Sequence, residues 1–219
     1  SRNPDMPVMD ISAVSFRSNF IVASGSELVC GGAGLALFMH TKSKLEQPVL
    51  HDGFVNISDS TFVNNSISML GETVSAGSGG GLSVVFFRGV LNLWMPAAPM
   101  HVNIERCAFD RNVLTVVGLE PSWASGGGLH LRTITVQSFV RIADSRFVSN
   151  EVATISSSPR ATGAALVSDS ASPQPERLSI LDCQFERNRA NSSDFDASAT
   201  ASVSIVRELN SNSADRIER

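Results

Sequence analysis

The side chains with the strongest claim to chemistry are two aspartates, Asp144 and Asp182, which stand three residues before Phe147 and Phe185, with Arg146 beside them and Arg106 three residues before Phe109. Carboxylates about 5 to 9.5 Å apart can act as acid and base on a glycosidic bond, and a carboxylate pair can also hold Ca²⁺. A turn explains the same aspartates without catalysis, because Asp at a chain reversal can bond its own backbone. The turn is the reading adopted. His40, His51, His101 and His130 lack metal-ligand spacing and read as surface or strand-flank residues. Cys107 and Cys183 each stand two residues before a Phe, where other copies have Ser60 and Ser145, and read as buried free thiols acting as small apolar residues. Cys30 leaves the cysteine count odd. The glycine runs are followed by neither a helix nor a Lys, and Ser83 and His130 stand where a calcium-binding repeat needs Asp, so phosphate and calcium cradles are set aside. No catalytic, metal or cofactor residue is assigned, and a non-enzymatic role is favoured.

The chain has 219 residues, a formal charge of −4 and no block of Lys or Arg, so it lacks the electrostatic footprint of a nucleic-acid or anionic-membrane binder. No apolar run approaches the roughly 20 residues of a bilayer span. The start, Ser1-Arg2-Asn3-Pro4, has no charged region followed by an apolar stretch, and is read as a processed form or a fragment of something longer. Glycosylation sequons at Asn56, Asn64 and Asn191 point to a secretory route and to an extracellular or cell-surface location.

What positions these side chains is a repeat. Phe-x-x-Asn occurs at Phe16/Asn19, Phe62/Asn65, Phe109/Asn112, Phe147/Asn150 and Phe185/Asn188. Five residues before each Phe stands an isoleucine: Ile11, Ile57, Ile104, Ile142 and Ile180. Seven before are Met9, Val55, Val102, Val140 and Leu178, and five after are Ile21, Ile67, Leu114, Val152 and Ala190, every one apolar. A second block places Leu35, Leu82, Leu129, Leu166 and Val203 after small residues, as in Gly79-Gly80-Gly81.

Columns that keep register in this way predict one coil per copy, with like residues stacked at the roughly 4.7–4.9 Å spacing of hydrogen-bonded strands. The expected fold is all-β: a right-handed, single-stranded parallel β-helix of five coils over residues 1–206, with a polar tail at 207–219. Asn after each Phe is expected to mark a corner, tolerating left-handed backbone and bonding the amides above and below. The column Asp59, Arg106, Asp144 and Asp182 marks a second corner and the small-residue block a third. A minimal coil needs about 24 residues, so the remainder is assigned to outer loops at 38–52, 68–77, 86–100, 115–124, 153–161 and 169–177, which hold most of the prolines. The outward columns Asp10, Asn56, Asn103, Arg141, Ser179 and Ser12, Ser58, Glu105, Ala143, Leu181 offer neither paired acids nor the uniform Thr array of an ice binder. The apolar insertion with Leu91, Leu93, Trp94 and Met95 is the candidate partner surface, with Trp123 a second exposed aromatic or a lid.

The paired Phe-x-x-Asn and Gly-Gly-Ala-Ile/Leu motifs, the latter closest at Cys30-Gly31-Gly32-Ala33-Gly34-Leu35, resemble the repeats of polymorphic outer membrane proteins, shared with many right-handed β-helix proteins of algae and protists. The resemblance spans residues 9–206. It implies a pectin-lyase-like solenoid acting as a surface adhesin or extracellular scaffold, whose partners are proteins or further segments of a longer chain. The runner-up is a carbohydrate-binding or polysaccharide-cleaving β-helix, since the same fold hosts pectin-degrading enzymes.

Overall fold

The computed structural model describes residues 8–41, 53–72, 75–88, 99–134, 138–170, 177–192, 198–200, 203–207 and 216–217. They form a parallel β-helix in which each coil contributes one strand to each of five parallel sheets. The first sheet holds Val8–Ser12, Gly53–Ser58, Met100–Glu105, Ser138–Ala143, Arg177–Leu181 and Arg216–Ile217; the second holds Ser15–Arg17, Thr61–Val63, Ala108–Asp110, Arg146–Val148 and Gln184–Glu186. The third is made of Phe20–Gly25, Ser66–Gly71, Val113–Gly118, Glu151–Ile155 and Arg189–Ser192, and the fourth of Leu28–Gly31, Ser75–Ser78, Ser122–Ser125, Pro159–Thr162 and Ser198–Thr200. Leu35–Thr41, Leu82–Arg88, Leu129–Ile134, Leu166–Ser170 and Val203–Arg207 complete the fifth.

The predicted ladders are present residue for residue. Ile11, Ile57, Ile104, Ile142 and Ile180 are Cα partners in successive coils, and Ile57, Ile104 and Ile142 are fully buried. Phe16, Phe62, Phe109, Phe147 and Phe185 stack with ring centroids 5.0, 4.9, 4.7 and 5.0 Å apart and near-parallel planes. The centroid separation is the strand spacing itself, so each ring sits over the next with no offset imposed by twist.

Three features differ from the sequence expectation. First, the stretches 68–77, 115–124 and 153–161 are not loops: they contain strands of the third and fourth sheets, so a coil has five strands. The fourth-sheet strands are short, with Ser75, Gly77, Ser122, Ala124 and Ala161 inward, which hides their alternation, whereas the third sheet buries Ile67, Met69, Leu114 and Val116 and extends the apolar column five residues after each Phe. Pro159 begins one of them, the strand position where a missing N–H is tolerated. Second, the left-handed residue of the Phe-x-x-Asn corner is not the Asn but the one before it: Ser18, Asn64, Arg111, Ser149 and Arg187 have φ of 54, 55, 53, 54 and 51°. The Asn points inward, and a buried amide ladder needs that orientation. Third, the tail is not wholly outside the solenoid, because Arg216 and Ile217 pair with Ser179 and Ile180.

The interior has two lobes. One packs the first, second and fifth sheets around the Ile and Phe columns, and the other lies between the third and fourth sheets around Ile67, Met69, Leu114 and Val116. The Asn ladder and the small-residue block meet at the waist between them. A Cβ on Gly81 would lie 2.6 Å from the Gly128 carbonyl oxygen and 3.0 Å from the Asn112 amide, so the backbone occupies space a side chain would need. The preceding glycines, Gly32, Gly79, Gly126 and Gly163, take the left-handed φ expected of the third corner.

Candidate functional site

Between the first and second sheets the chain turns through two residues per coil. The first of each pair, Ala13, Asp59, Arg106, Asp144 or Asp182, has φ between 49 and 56° and an exposed side chain. Its amide stays in the ladder: Asp59 N donates to Glu105 O, Arg106 N to Ala143 O and Asp144 N to Leu181 O, each at 3.1 Å. The second residue, Ser60, Cys107, Ser145 or Cys183, faces the wall, while its first-coil equivalent, Val14, is exposed. From the second coil to the fifth the corner column therefore projects one charged side chain per coil, after the uncharged Ala13.

Across coils three to five this corner borders a shallow groove of about 400 Å³ lined by Arg106, Cys107, Ala108, Asp144, Ser145, Arg146, Asp182 and Gln184. The groove brings together both predicted aspartates and both arginines. Arg106 is already engaged: Nε and Nη2 donate to Asp59 Oδ1 and Oδ2 at 2.7 and 2.9 Å, and Nη1 lies 2.9 Å from Glu105 Oε1. That bidentate bond holds the Asp59 carboxyl below its usual range, and the same bond raises the guanidinium pKa further.

The two nucleophilic atom types at the groove floor are also committed. Ser145 Oγ donates to Ala143 O at 2.8 Å and accepts from Cys107 N at 3.0 Å. Cys107 Sγ donates to Glu105 O and Ile57 O at 3.4 and 3.5 Å, and burial pushes its thiol pKa up. Cys183 repeats this, donating to Leu181 O at 3.2 Å, and is only partly buried. The thiols are free, as expected, but they are hydrogen-bond donors to the corner carbonyls rather than plain apolar fillers. Ser60 does the same job with its hydroxyl, bonding Ser58 O at 2.7 Å, which is why Ser and Cys alternate in this column. Among the described residues no group of three His, Cys, Asp or Glu is placed to hold a metal ion.

The Asn ladder is the most heavily bonded feature of the wall. Asn112 Oδ1 accepts from Asn65 N and Nδ2 at 3.1 and 3.0 Å, and Asn112 Nδ2 donates to Phe62 O and Asn150 Oδ1 at 2.8 and 3.0 Å. Asn65, Asn150 and Asn188 repeat the pattern, and Asn19 begins it from an exposed position.

Two histidines differ from expectation. His101 is held between Phe54 and Phe139, with centroids 4.5 and 4.8 Å away, and Arg177 caps Phe139 at 5.6 Å. This outward aromatic column lies eight residues before each Phe, a spacing that would have exposed it. Its rings cover one another's faces, so a sugar ring can meet only their edges. His130, expected on a strand flank, is 5 % exposed and its Nδ1 has no hydrogen-bond partner; burial, helped by Arg132, lowers its pKa to about 4. The His40 side chain and His51 lie outside the described residues.

Leu91, Leu93, Trp94 and Met95, the expected partner surface, also lie outside the described residues. The described residues expose other apolar side chains on the third and fourth sheets and the turn between them: Phe20, Val22, Val29, Leu70, Leu119, Trp123 and Ile155. Of the sequon asparagines, Asn56 is half-buried and donates to Asp10 at 2.6 Å, Asn191 is exposed and donates to Glu151 Oε1 at 3.0 Å, and Asn64 is exposed at a left-handed corner. No helix among the described residues is long and apolar enough to cross a membrane. No protein-family model, curated protein or solved structure matches the chain.

Proposed function

We propose that the chain is a non-catalytic structural or adhesive β-helix module of a larger extracellular or cell-surface assembly, which makes contacts through its loops and coil faces. The observation that carries this reading is how the polar side chains are used. Asn65, Asn112 and Asn150 bond along the ladder, Ser60, Ser145 and Cys107 bond the corner carbonyls, and Arg106 is held by Asp59 and Glu105. Groups consumed in this way position the backbone and are not available to activate a substrate. The resemblance to polymorphic outer membrane protein repeats supports the same role by analogy, and the exposed sequon at Asn64 suits a secreted chain.

The groove at Asp144 and Asp182 favours a second reading, a carbohydrate-binding or polysaccharide-cleaving β-helix, because two carboxylates on adjacent coils stand beside Arg146. Product release from acidic and neutral polysaccharides separates the two. The expected result is no turnover by the parent chain or by the combined Asp144→Ala and Asp182→Ala variant. Turnover by the parent that is lost in the variant would replace the structural reading with the enzymatic one.

A further inference from the structure

We propose that the outer crease between the fourth and fifth sheets, with Trp123 and Arg160 on its rim, is a non-catalytic binding site for an acidic saccharide. The crease follows from the short turn, 79–81 in the second coil, that joins these sheets. Ser78 is the last outward residue of its fourth-sheet strand and Ser83 the first outward residue of the strand that follows, and their hydroxyls lie 3.4 Å apart. The outer surfaces of the two sheets therefore fold toward each other, and positions that strand alternation turns outward become buried: Ser83, His130 and Val167. Ser125 and Thr162 stand opposite His130 and Val167 as Ser78 stands opposite Ser83, and their hydroxyls bond each other at 3.2 Å across coils.

Three observations point to a ligand. His130 alternates with the inward Leu129 and Leu131, so its ring enters the crease, where it is 5 % exposed and its Nδ1 lacks a hydrogen-bond partner. A buried polar atom left in that state costs free energy that a ligand hydroxyl recovers, and the Ser125–Thr162 bond can be exchanged for bonds to the same ligand. Trp123 stands two residues before Ser125 on the outer side of its strand, 38 % exposed, in a column with Ala76 in the coil before and Arg160 in the coil after. Among the described residues its indole has no ring or cation contact, unlike the mutually covered Phe54, His101 and Phe139, so it can take the apolar face of a sugar. Charge sets the class of sugar. Arg160 is exposed and makes no ion pair among the described residues. Among those residues no Asp or Glu stands in a fourth-sheet strand or in the crease row, although acids outnumber Lys and Arg in the chain by 21 to 17. Glu27, Glu72 and Glu120 lie in the turn before the fourth sheet, on the other side of the Trp123 row from the crease.

Trp123 and Arg160 are one coil apart, about 5 Å, and Trp123 and Ser125 are two residues apart, about 7 Å, so one sugar ring and its substituents reach all of them. The indole takes the ring face, Arg160 the carboxylate, and Ser125, Thr162 and His130 Nδ1 the ring hydroxyls. A contact of one ring has a dissociation constant on the order of a millimolar, which display of several copies in one assembly strengthens. The inference rests on the adhesive reading and names a partner class for it. Its failure leaves that reading standing, because the turnover assay on polysaccharides tests the absence of catalysis separately.

Saturation-transfer NMR on the full chain reads bound sugar directly. The probes are trigalacturonate, a hyaluronan tetrasaccharide and sialyllactose, each beside its methyl ester, which keeps the rings and removes the charge. At least one acidic probe should bind saturably with a dissociation constant on the order of a millimolar, and its ester at least about fivefold more weakly. Trp123→Ala should abolish the signal and Arg160→Gln should weaken binding at least about fivefold, both with the urea midpoint of the parent because both side chains are exposed. His130→Val should weaken it about threefold or more. The combined Asp144→Ala and Asp182→Ala variant should bind as the parent does. Absence of saturable binding by every acidic probe, an ester that binds equally well, or a Trp123→Ala or Arg160→Gln variant that binds as the parent does overturns the proposal. Loss of binding in the combined aspartate variant also overturns it, by moving the sugar to the groove between the first and second sheets.

Discussion

Replacing His130 with valine should remove a defined part of the acid sensitivity of this fold. His130 sits between Ser83 and Val167 in one column, both almost wholly buried, so a valine at this position has a precedent one coil away. Its imidazole pKa falls from 6.5 to about 4 because burial disfavours the charged ring, with Arg132 adding to the effect. The unfolded chain therefore takes up a proton near pH 6.5 that the folded chain refuses until about pH 4. Stability contributed by the neutral ring is complete above pH 6.5 and is lost as pH falls through that window, at about 1.4 kcal/mol per pH unit. Between pH 7.5 and 4.5 the wild type should lose about 2 to 3 kcal/mol more than His130→Val. Asp59, whose carboxyl is held below 3.8, contributes its own loss at lower pH and equally in both proteins. Urea unfolding of the two proteins at half-unit intervals from pH 7.5 to 4.5 gives the difference directly. If that difference is the same at every pH, the ring is not buried neutral and the reasoning fails.

Asn112→Ala removes the acceptor of the buried Asn65 N–H and the donor to Phe62 O, and should destabilise by about 3 to 5 kcal/mol in denaturant unfolding, whereas Asn19→Ala at the exposed start of the ladder should cost less than about 1 kcal/mol. Gly79→Ala sets a Cβ against the Leu82 carbonyl oxygen at φ 61° and should cost at least about 2 kcal/mol. Gly77→Ala, in a column already filled by Ala124 and Ala161, meets only the side-chain methyls of Leu114 and Val116, at 2.6 and 2.9 Å, rather than backbone, and should cost less than Gly79→Ala in the same unfolding assay; a Gly79→Ala loss below about 1 kcal/mol would refute the role given to the corner.

The columns of large residues were legible because stacking makes each inward position meet its own equivalent. Ile57 must satisfy Ile11 and Ile104, and Phe109 must satisfy Phe62 and Phe147, so residue type is fixed by register and survives insertions of different length. The fourth sheet was not legible for the converse reason. Its inward positions include Ser75, Ser122, Gly77 and Ala124, where the lobe is narrow and small side chains leave no apolar alternation to read, whereas the third sheet showed its first inward column at Ile67, Leu114 and Val152. The left-handed corners were misplaced by one residue because Asn tolerates that backbone best, yet the amide ladder needs Asn on the inward side. The cost then falls on Ser18, Arg111 and Ser149, whose identity hardly matters once their amides are bonded to the neighbouring coil.

The same logic governs what could be read of a site. Asp144, Asp182, Arg106 and Arg146 were found together because all lie at fixed offsets from Phe, and the solenoid converts a fixed offset into adjacency. His130 was misjudged because its column, Ala36, Ser83, His130 and Val167, is mixed in type and gives no sign that the outer side of the fifth sheet is covered there. The exposed apolar residues of the third sheet gave no signal for a related reason: through coils one to three its outward rows lack charge but share no residue type. A search for repeated identity finds what the interior demands, whereas a contact surface on a solenoid has to be sought as charge that is missing from rows the register has already aligned.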